Sequence, residues 1–161
     1  ACCVRQASAK RLKVRLRVSR DGQYRVDCKK IPPTPTEPAR LRWSERAIDS
    51  TSPFHFYKTT NRHVYDGNLA AFPDADDVIL YNERGEVTET CLANIAILRD
   101  GRCLTPPVRC GLLGGTFRAY LMDQGELEEC VLTRADLENA EKVMIFNSVR
   151  KWRPAELIRA S

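Results

Sequence analysis

Lys58 closes the aromatic alternation of the stretch FHFYKTTNR, and Glu89 stands inside the apolar run EVTETCLANI. A lysine partly desolvated at a strand end is biased toward its neutral amine, the form that attacks a carbonyl carbon to make a Schiff base. Taken alone, Lys58 also reads as a lysine snorkelling from a strand terminus. A carboxylate such as Glu89 within an apolar strand is costly unless it meets a partner. In GLLGGTFR the glycines precede a predicted helix, so the backbone N–H groups of Gly115, Thr116 and Phe117 can converge on an anion, aided by the helix dipole. No Gly-Lys-Ser/Thr follows, which excludes a nucleotide P-loop, and two glycines before a helix also make an ordinary turn. Asn147 and Ser148 interrupt the apolar run of IFNSV and add side-chain hydrogen-bonding groups.

An amine nucleophile, an interior carboxylate, a helix-end anion cradle and extra hydroxyl and amide groups together match what pyridoxal phosphate requires. The elements that must position them follow from patterning. Leu12, Val14, Leu16 and Val18 alternate with basic residues, Asp21-Gly22 signals a tight turn, and Tyr24, Val26 and Cys28 resume the alternation. This predicts a β-hairpin with one buried and one solvated face. IPPTPTEPAR, with four prolines over residues 31–40, reads as a stiff connector, followed by a short strand ending at Lys58 and a helix over residues 61–72 stopped by Pro73. DDVILYN, VTETCL, ANIAILR and CLTPPV read as strands of a meander with turns at ERGE and DGR. A helix over 116–124, a short helix with a Thr133–Asp136 capping box, a buried strand KVMIFNSV and a fraying tail RKWRPAELIRAS complete the reading. The predicted class is α+β, with a short-stranded mixed or antiparallel sheet and a few helices.

At 161 residues, 43% apolar and 29% charged, the chain has room for one domain with a core, plus an arm. No apolar run is long enough to span a membrane and no signal or lipidation motif is visible, so a cytoplasmic location without membrane attachment is the expectation. Seven cysteines in irregular spacing, with no Cys-x-x-Cys pair, read as reduced thiols and not as a disulfide framework; no metal site is expected. Residues 1–46 carry 13 Lys/Arg against 4 Asp/Glu, and residues 47–161 carry 13 against 17. The basic charge tracks the hairpin's polar face, so nucleic acid is not the expected partner. A first residue of Ala1 in place of methionine raises the expectation of a fragment or trimmed product.

The segments FHFYKTTNRHVYD, DADDVILYNERGEVTETCLANI, TPPVRCGLLGGTFR and NSVRKWRPA occur in an order that resembles fold-type IV pyridoxal-phosphate enzymes, the class IV aminotransferase superfamily. More narrowly they resemble the aminodeoxychorismate lyase half of bacterial proteins that fuse it to a para-aminobenzoate (aminodeoxychorismate) synthase component. The resemblance covers about residues 10–156. It implies that Lys58 is the Schiff-base lysine and Glu89 the partner of the pyridinium nitrogen. It further implies that Gly115, Thr116 and Phe117 form the phosphate turn with Ser148 as a second contact, and that Leu113 packs on a ring face. Asn94 would be a structural hydrogen bonder closing the Glu-x-x-x-x-Asn segment. Arg62, in the lyase-like Lys-x-x-Asn-Arg pattern, would contact the ring hydroxyl or the substrate carboxylate, while His63 is not expected to be catalytic.

Family members carry a smaller N-terminal domain that supplies an arginine for the phosphate. The expected organisation here is therefore a hairpin over 1–30, a connector over 31–40 and a cofactor-binding domain over 41–161. The resemblance implies a lyase that converts 4-amino-4-deoxychorismate to 4-aminobenzoate and pyruvate in folate biosynthesis. A branched-chain or D-amino-acid type aminotransferase and an inactive truncated fragment are the other readings. It also implies a homodimer, an amino-bearing small-molecule substrate, and a fused or associated synthase component.

Overall fold

Two runs of alternating apolar residues and a set of short, turn-delimited apolar strands build two separate sheets. The structure, a computed structural model, describes residues 11–158, and the chain divides into two compact units, Ala1–Pro35 and Thr36–Ser161. In the first unit β1 (Leu12–Val18) pairs antiparallel with β2 (Tyr24–Lys30), setting Val14 opposite Cys28, Leu16 opposite Val26 and Val18 opposite Tyr24. Opposed residues share a face, so the apolar residues do form one face, as the alternation predicts. That face is not buried: Leu16 is 62% exposed and Tyr24 74%. A two-stranded ribbon has no second layer of its own to cover it. The expectation that all cysteines are free thiols also fails here, because Cys28 is disulfide-bonded, whereas Cys91, Cys103, Cys110 and Cys130 are free.

The second unit is an eight-stranded mixed sheet of order β5-β4-β3-β10-β9-β6-β7-β8. Its strands are β3 (Ala39–Trp43), β4 (Asp77–Tyr81), β5 (Val87–Thr90), β6 (Asn94–Arg99), β7 (Arg102–Thr105), β8 (Glu128–Glu129), β9 (Lys142–Asn147) and β10 (Lys151–Leu157). β3 runs parallel to both β4 and β10, and β7 runs parallel to β8; the remaining pairs are antiparallel. Among the described residues three helices pack on it: α1 (His63–Ala71), α2 (Thr116–Asp123) and α3 (Arg134–Glu138), the last opened by the Thr133–Asp136 capping box that the sequence predicts.

The tail read as fraying is instead β10, inserted between β3 and β9. Pro154 cannot donate to a ladder; it stands opposite Met144 of β9, and pairing with β3 begins one residue later, at Ala155 opposite Ala39. β3 itself begins at Ala39, inside the stretch read as a connector. The strand expected to end at Lys58 is absent; a single 3-10 turn, Pro53–His55, occupies that stretch. Pro53 sets the turn, and Lys58 falls in the exposed loop between it and α1.

β4 and β6 are buried on both faces, which is why they read as near-continuous apolar runs. Ile79, Leu41, Ile95, Ile97, Val87 and Leu137 pack into one core. On β4 the neighbours Val78 and Leu80 turn the other way, against Tyr65, Val64, Leu69 and Phe72 of α1 and the residue after it. Ala96 and Phe146 pack beneath Leu121, Leu127, Phe117 and Trp152, seating α2. Gly111, at φ 98, ends a 3-10 turn ahead of α2, and a Cβ there would lie 2.8 Å from Ser50 Cα, so only glycine fits the close passage.

Candidate active site

Glu89 reaches the site because β5 and β6 are joined by a tight turn. Thr90 N donates to Ala93 O at 2.9 Å, and Thr90 Oγ1 is 2.7 Å from the Asp77 carboxylate, which pins the turn to β4. Glu89 and Asn94 therefore emerge side by side, 5% and 7% exposed. Burial pushes the Glu89 carboxyl up to about 8; a hydrogen bond from Tyr65, the Leu113 N–H and the nearby Lys58 and Arg62 cations oppose that rise. Tyr65 donates to Oε1 at 3.0 Å, and Asn94 Nδ2 lies 3.5 Å from Oε2 while donating to Leu113 O at 2.9 Å.

The two glycines predicted to precede a helix do so: Gly115 is the N-cap of α2, with Thr116 and Phe117 its first residues. An open cavity of about 420 Å³ lies at this helix start, lined by Thr116, Phe117, Tyr120, Ser148 and Lys151. Thr116 Oγ1 and Ser148 Oγ are 2.7 Å apart, and the Lys151 ammonium stands 4.2 Å from the centre of the Phe117 ring. Asn147 Oδ1 accepts from Val149 N at 3.0 Å and Arg150 N at 2.9 Å, which holds the turn that presents Ser148. Hydroxyls, an ammonium and backbone N–H groups without helical partners at α2's start form a set suited to an anion.

The turn that opens α2 is tightly fitted at Gly115, where an added Cβ would lie 2.5 Å from Asn94 Oδ1. Gly115→Ala is therefore expected to displace Asn94, cost about 1–3 kcal/mol of stability by overpacking, and weaken anion binding at α2. Chemical denaturation beside phosphate titration checks this, and unchanged values for both would refute it.

Lys58 is exposed and acts on Glu89 electrostatically, so the expectation of a desolvated lysine fails; no strand end forms to bury it. Arg62 Nη2 donates to Cys91 O at 2.9 Å and its guanidinium lies 4.8 Å from the centre of the Tyr65 ring, tying the start of α1 to the β5–β6 turn. His63 is exposed and bonds Asn61, away from the groups around Glu89. The Leu113 carbonyl and N–H serve Asn94 and Glu89. Thus Glu89, Asn94, Leu113 and Gly115 are brought together, with Lys58 and Arg62 on the α1 side, while Thr116, Phe117 and Ser148 gather at the cavity.

Sequence reasoning missed Tyr65, His55 and Lys151. Tyr65 offers a faint signal, since it adjoins Val64 on the helix and has a polar tip that a buried aromatic must satisfy. Lys151 offers none, because it stood in a segment read as fraying.

Residues 3–158 match the family model described as amino-transferase class IV. A Schizosaccharomyces pombe protein named "Putative aminodeoxychorismate lyase" is 35% identical over 147 residues, which is 86% of this chain and 64% of that protein. The chain thus spans just under two thirds of that relative's length. The crystal structure of a "Putative amino-acid aminotransferase" from Mesorhizobium loti is 31% identical, with a TM-score of 0.89 over 95% of this chain and 76% of that one. A "Putative 4-amino-4-deoxychorismate lyase" from Legionella pneumophila, 24% identical, shares the fold with a TM-score of 0.73 over 83% of this chain and 53% of that one. A family match over nearly the whole chain decides the matter: the chain belongs to the class IV aminotransferase family.

Proposed function

We propose that the chain is the cofactor-binding part of a pyridoxal-phosphate-dependent lyase that forms 4-aminobenzoate and pyruvate from 4-amino-4-deoxychorismate. The observation that carries the cofactor reading is Glu89: a carboxylate 5% exposed, raised to about 8 by burial, and met by neutral hydrogen-bond donors. A protonated ring nitrogen is the kind of group that relieves such a carboxylate. The donors at the start of α2 and the amine of Lys58 fit the phosphate and aldehyde ends of the same molecule.

Bound, pyridoxal phosphate supplies an electron sink that stabilises a carbanion beside the substrate nitrogen. Glu89 would hold the ring nitrogen protonated. Thr116 Oγ1, Ser148 Oγ and the first N–H groups of α2 would hold the phosphate, and the Lys151 ammonium at the same cavity would offset its charge. Lys58 Nζ would be the amine that holds the cofactor at its aldehyde end, and the same amine would serve as the base toward the aminated carbon of the substrate. Arg62, with its side chain 40% exposed, retains donors for a substrate carboxylate.

The yeast relative supports the lyase reading. The Mesorhizobium protein, similar over 95% of the chain, supports an aminotransferase as the second reading. A piece that binds cofactor without turnover is the third reading. A homodimer, a fused or associated synthase component and a cytoplasmic location remain part of the proposal by resemblance. No helix among the described residues is long and apolar enough to cross a membrane.

The deciding experiment adds pyridoxal phosphate to the purified chain, reduces with borohydride and maps the adduct by peptide mass. An adduct at Lys58 is expected, and its absence would overturn the cofactor reading. Pyruvate release without added keto acid supports the lyase, amine transfer dependent on keto acid supports the aminotransferase, and an adduct with neither supports the inactive piece.

A further inference from the structure

A buried chain of hydrogen bonds runs from Glu89 away from the groups assigned to the cofactor. Tyr65 Oη donates to Glu89 Oε1 at 3.0 Å, and His55 Nδ1 lies 3.0 Å from the same Tyr65 oxygen. His55, Tyr65 and Glu89 are 3%, 7% and 5% exposed, and the two rings meet edge to face at 5.8 Å. Three separate elements contribute: the 3-10 turn Pro53–His55, α1 and β5.

A tyrosine hydroxyl has one proton to give. While Tyr65 gives it to an ionised Glu89, its oxygen can only accept from His55, which requires the imidazole hydrogen on Nδ1. When Glu89 is protonated the order reverses: the carboxyl donates to Tyr65, Tyr65 donates to Nδ1, and the imidazole hydrogen sits on Nε2. The two states differ by one proton. It enters at Nε2, the Nδ1 proton passes to the Tyr65 oxygen, and the Tyr65 proton passes to Glu89, so that every atom is accounted for and no side chain is left charged.

We infer that His55 and Tyr65 are positioning residues that aim Glu89 and form a wire through which it gains or loses its proton. The inference rests on the proposed cofactor reading only for what Glu89 meets. Burial keeps both relay groups neutral, since it lowers the His55 imidazole against the pull of Asp49 and raises the Tyr65 phenol, which the Glu89 charge raises further. The other groups around the wire are Arg62 on α1, Lys58 in the preceding loop, Asn94 on β6, the Leu113 N–H and Cys91, which itself faces Asp77.

The chain has two histidines, so nitrogen-15 NMR of the cofactor-free protein resolves the wire directly. The His55 ring is expected to change from the Nε2–H to the Nδ1–H tautomer as pH rises from 6.5 through about 8, the value to which Glu89 is pushed, with His63 not following. Tyr65→Phe is expected to abolish that change and to weaken pyridoxal phosphate binding at pH 7 about 10-fold or more. His55→Leu should weaken binding similarly, and His55→Asn, which keeps an N–H donor for Tyr65, should restore most of it. A His55 tautomer constant across this range overturns the wire. A tautomer that changes with pH, in a protein that forms no Lys58 adduct, retains the wire and overturns the cofactor reading instead.

Discussion

Lys58→Ala is expected to lower turnover of the cofactor-loaded protein by about a thousandfold or more, the scale of removing a positioned base, while leaving the fold unchanged. Lys58 is exposed in the loop before α1, and its effect within the structure is its charge acting on Glu89. A surface substitution of this kind changes stability within roughly 0.5 kcal/mol, so the thermal melt should not move. The same variant should lose the borohydride-fixed adduct, because Lys58 is the lysine whose charge acts on Glu89. A small primary amine added to the solution should restore part of the rate by occupying the vacated space. Turnover within tenfold of the parent, or a melting temperature displaced by many degrees, would remove Lys58 from the mechanism proposed above.

The parts of the site that could be read in the sequence are those whose chemistry is local. Gly115 before Thr116 announces a helix start because a glycine pair and a helical period adjoin, and Thr133 with Asp136 announces one by side-chain reach across a single turn. Glu89 stands out because a carboxylate contradicts the apolar run around it. Lys58 could be named but not placed. The alternation in FHFYK satisfies a strand pattern, yet Pro53 sets a 3-10 turn and His55 turns inward to Tyr65.

What could not be read depends on contacts distant in sequence. Tyr65 meets Glu89 across 24 positions, and Ser148 meets Thr116 across 32. β10 was illegible for a similar reason. Its Arg153, Pro154 and Glu156 look like a tail, and only pairing with β3, more than a hundred residues earlier, makes it an interior strand. The hairpin shows the opposite failure, since its alternation is correct while the inference that its apolar face must be buried is not. Periodicity specifies which side chains share a face and does not say what covers that face.

Glu89→Gln is expected to remove a pH dependence of stability that the parent shows in the absence of cofactor. The folded-state carboxyl titrates at about 8, raised by burial from 4.5. Between those values the unfolded chain has released the proton and the folded chain still holds it. Ionisation therefore favours unfolding, and stability falls as pH rises through this window, then levels above it. The full window would be worth on the order of 5 kcal/mol, but other groups act in its lower part. Asp77, raised by burial to about 6, contributes with the same sign below that pH, and His55, lowered by burial from 6.5, contributes with the opposite sign below 6.5. From pH 6.5 to 8 the slope belongs chiefly to Glu89, and urea unfolding should show the parent losing about 2 kcal/mol there. The glutamine variant should be flat across that interval and more stable than the parent at pH 8. Pyridoxal phosphate should reverse the order. The parent gains stability at pH 8 because an ionised Glu89 then faces a cation, and the variant, whose amide cannot hold the ring nitrogen protonated, gains less and turns over about a hundredfold more slowly. A parent protein already flat from pH 6.5 to 8 would show that Glu89 is ionised throughout. The buried carboxylate would then need no cationic ring to relieve it, and the principal structural argument for the cofactor would fall.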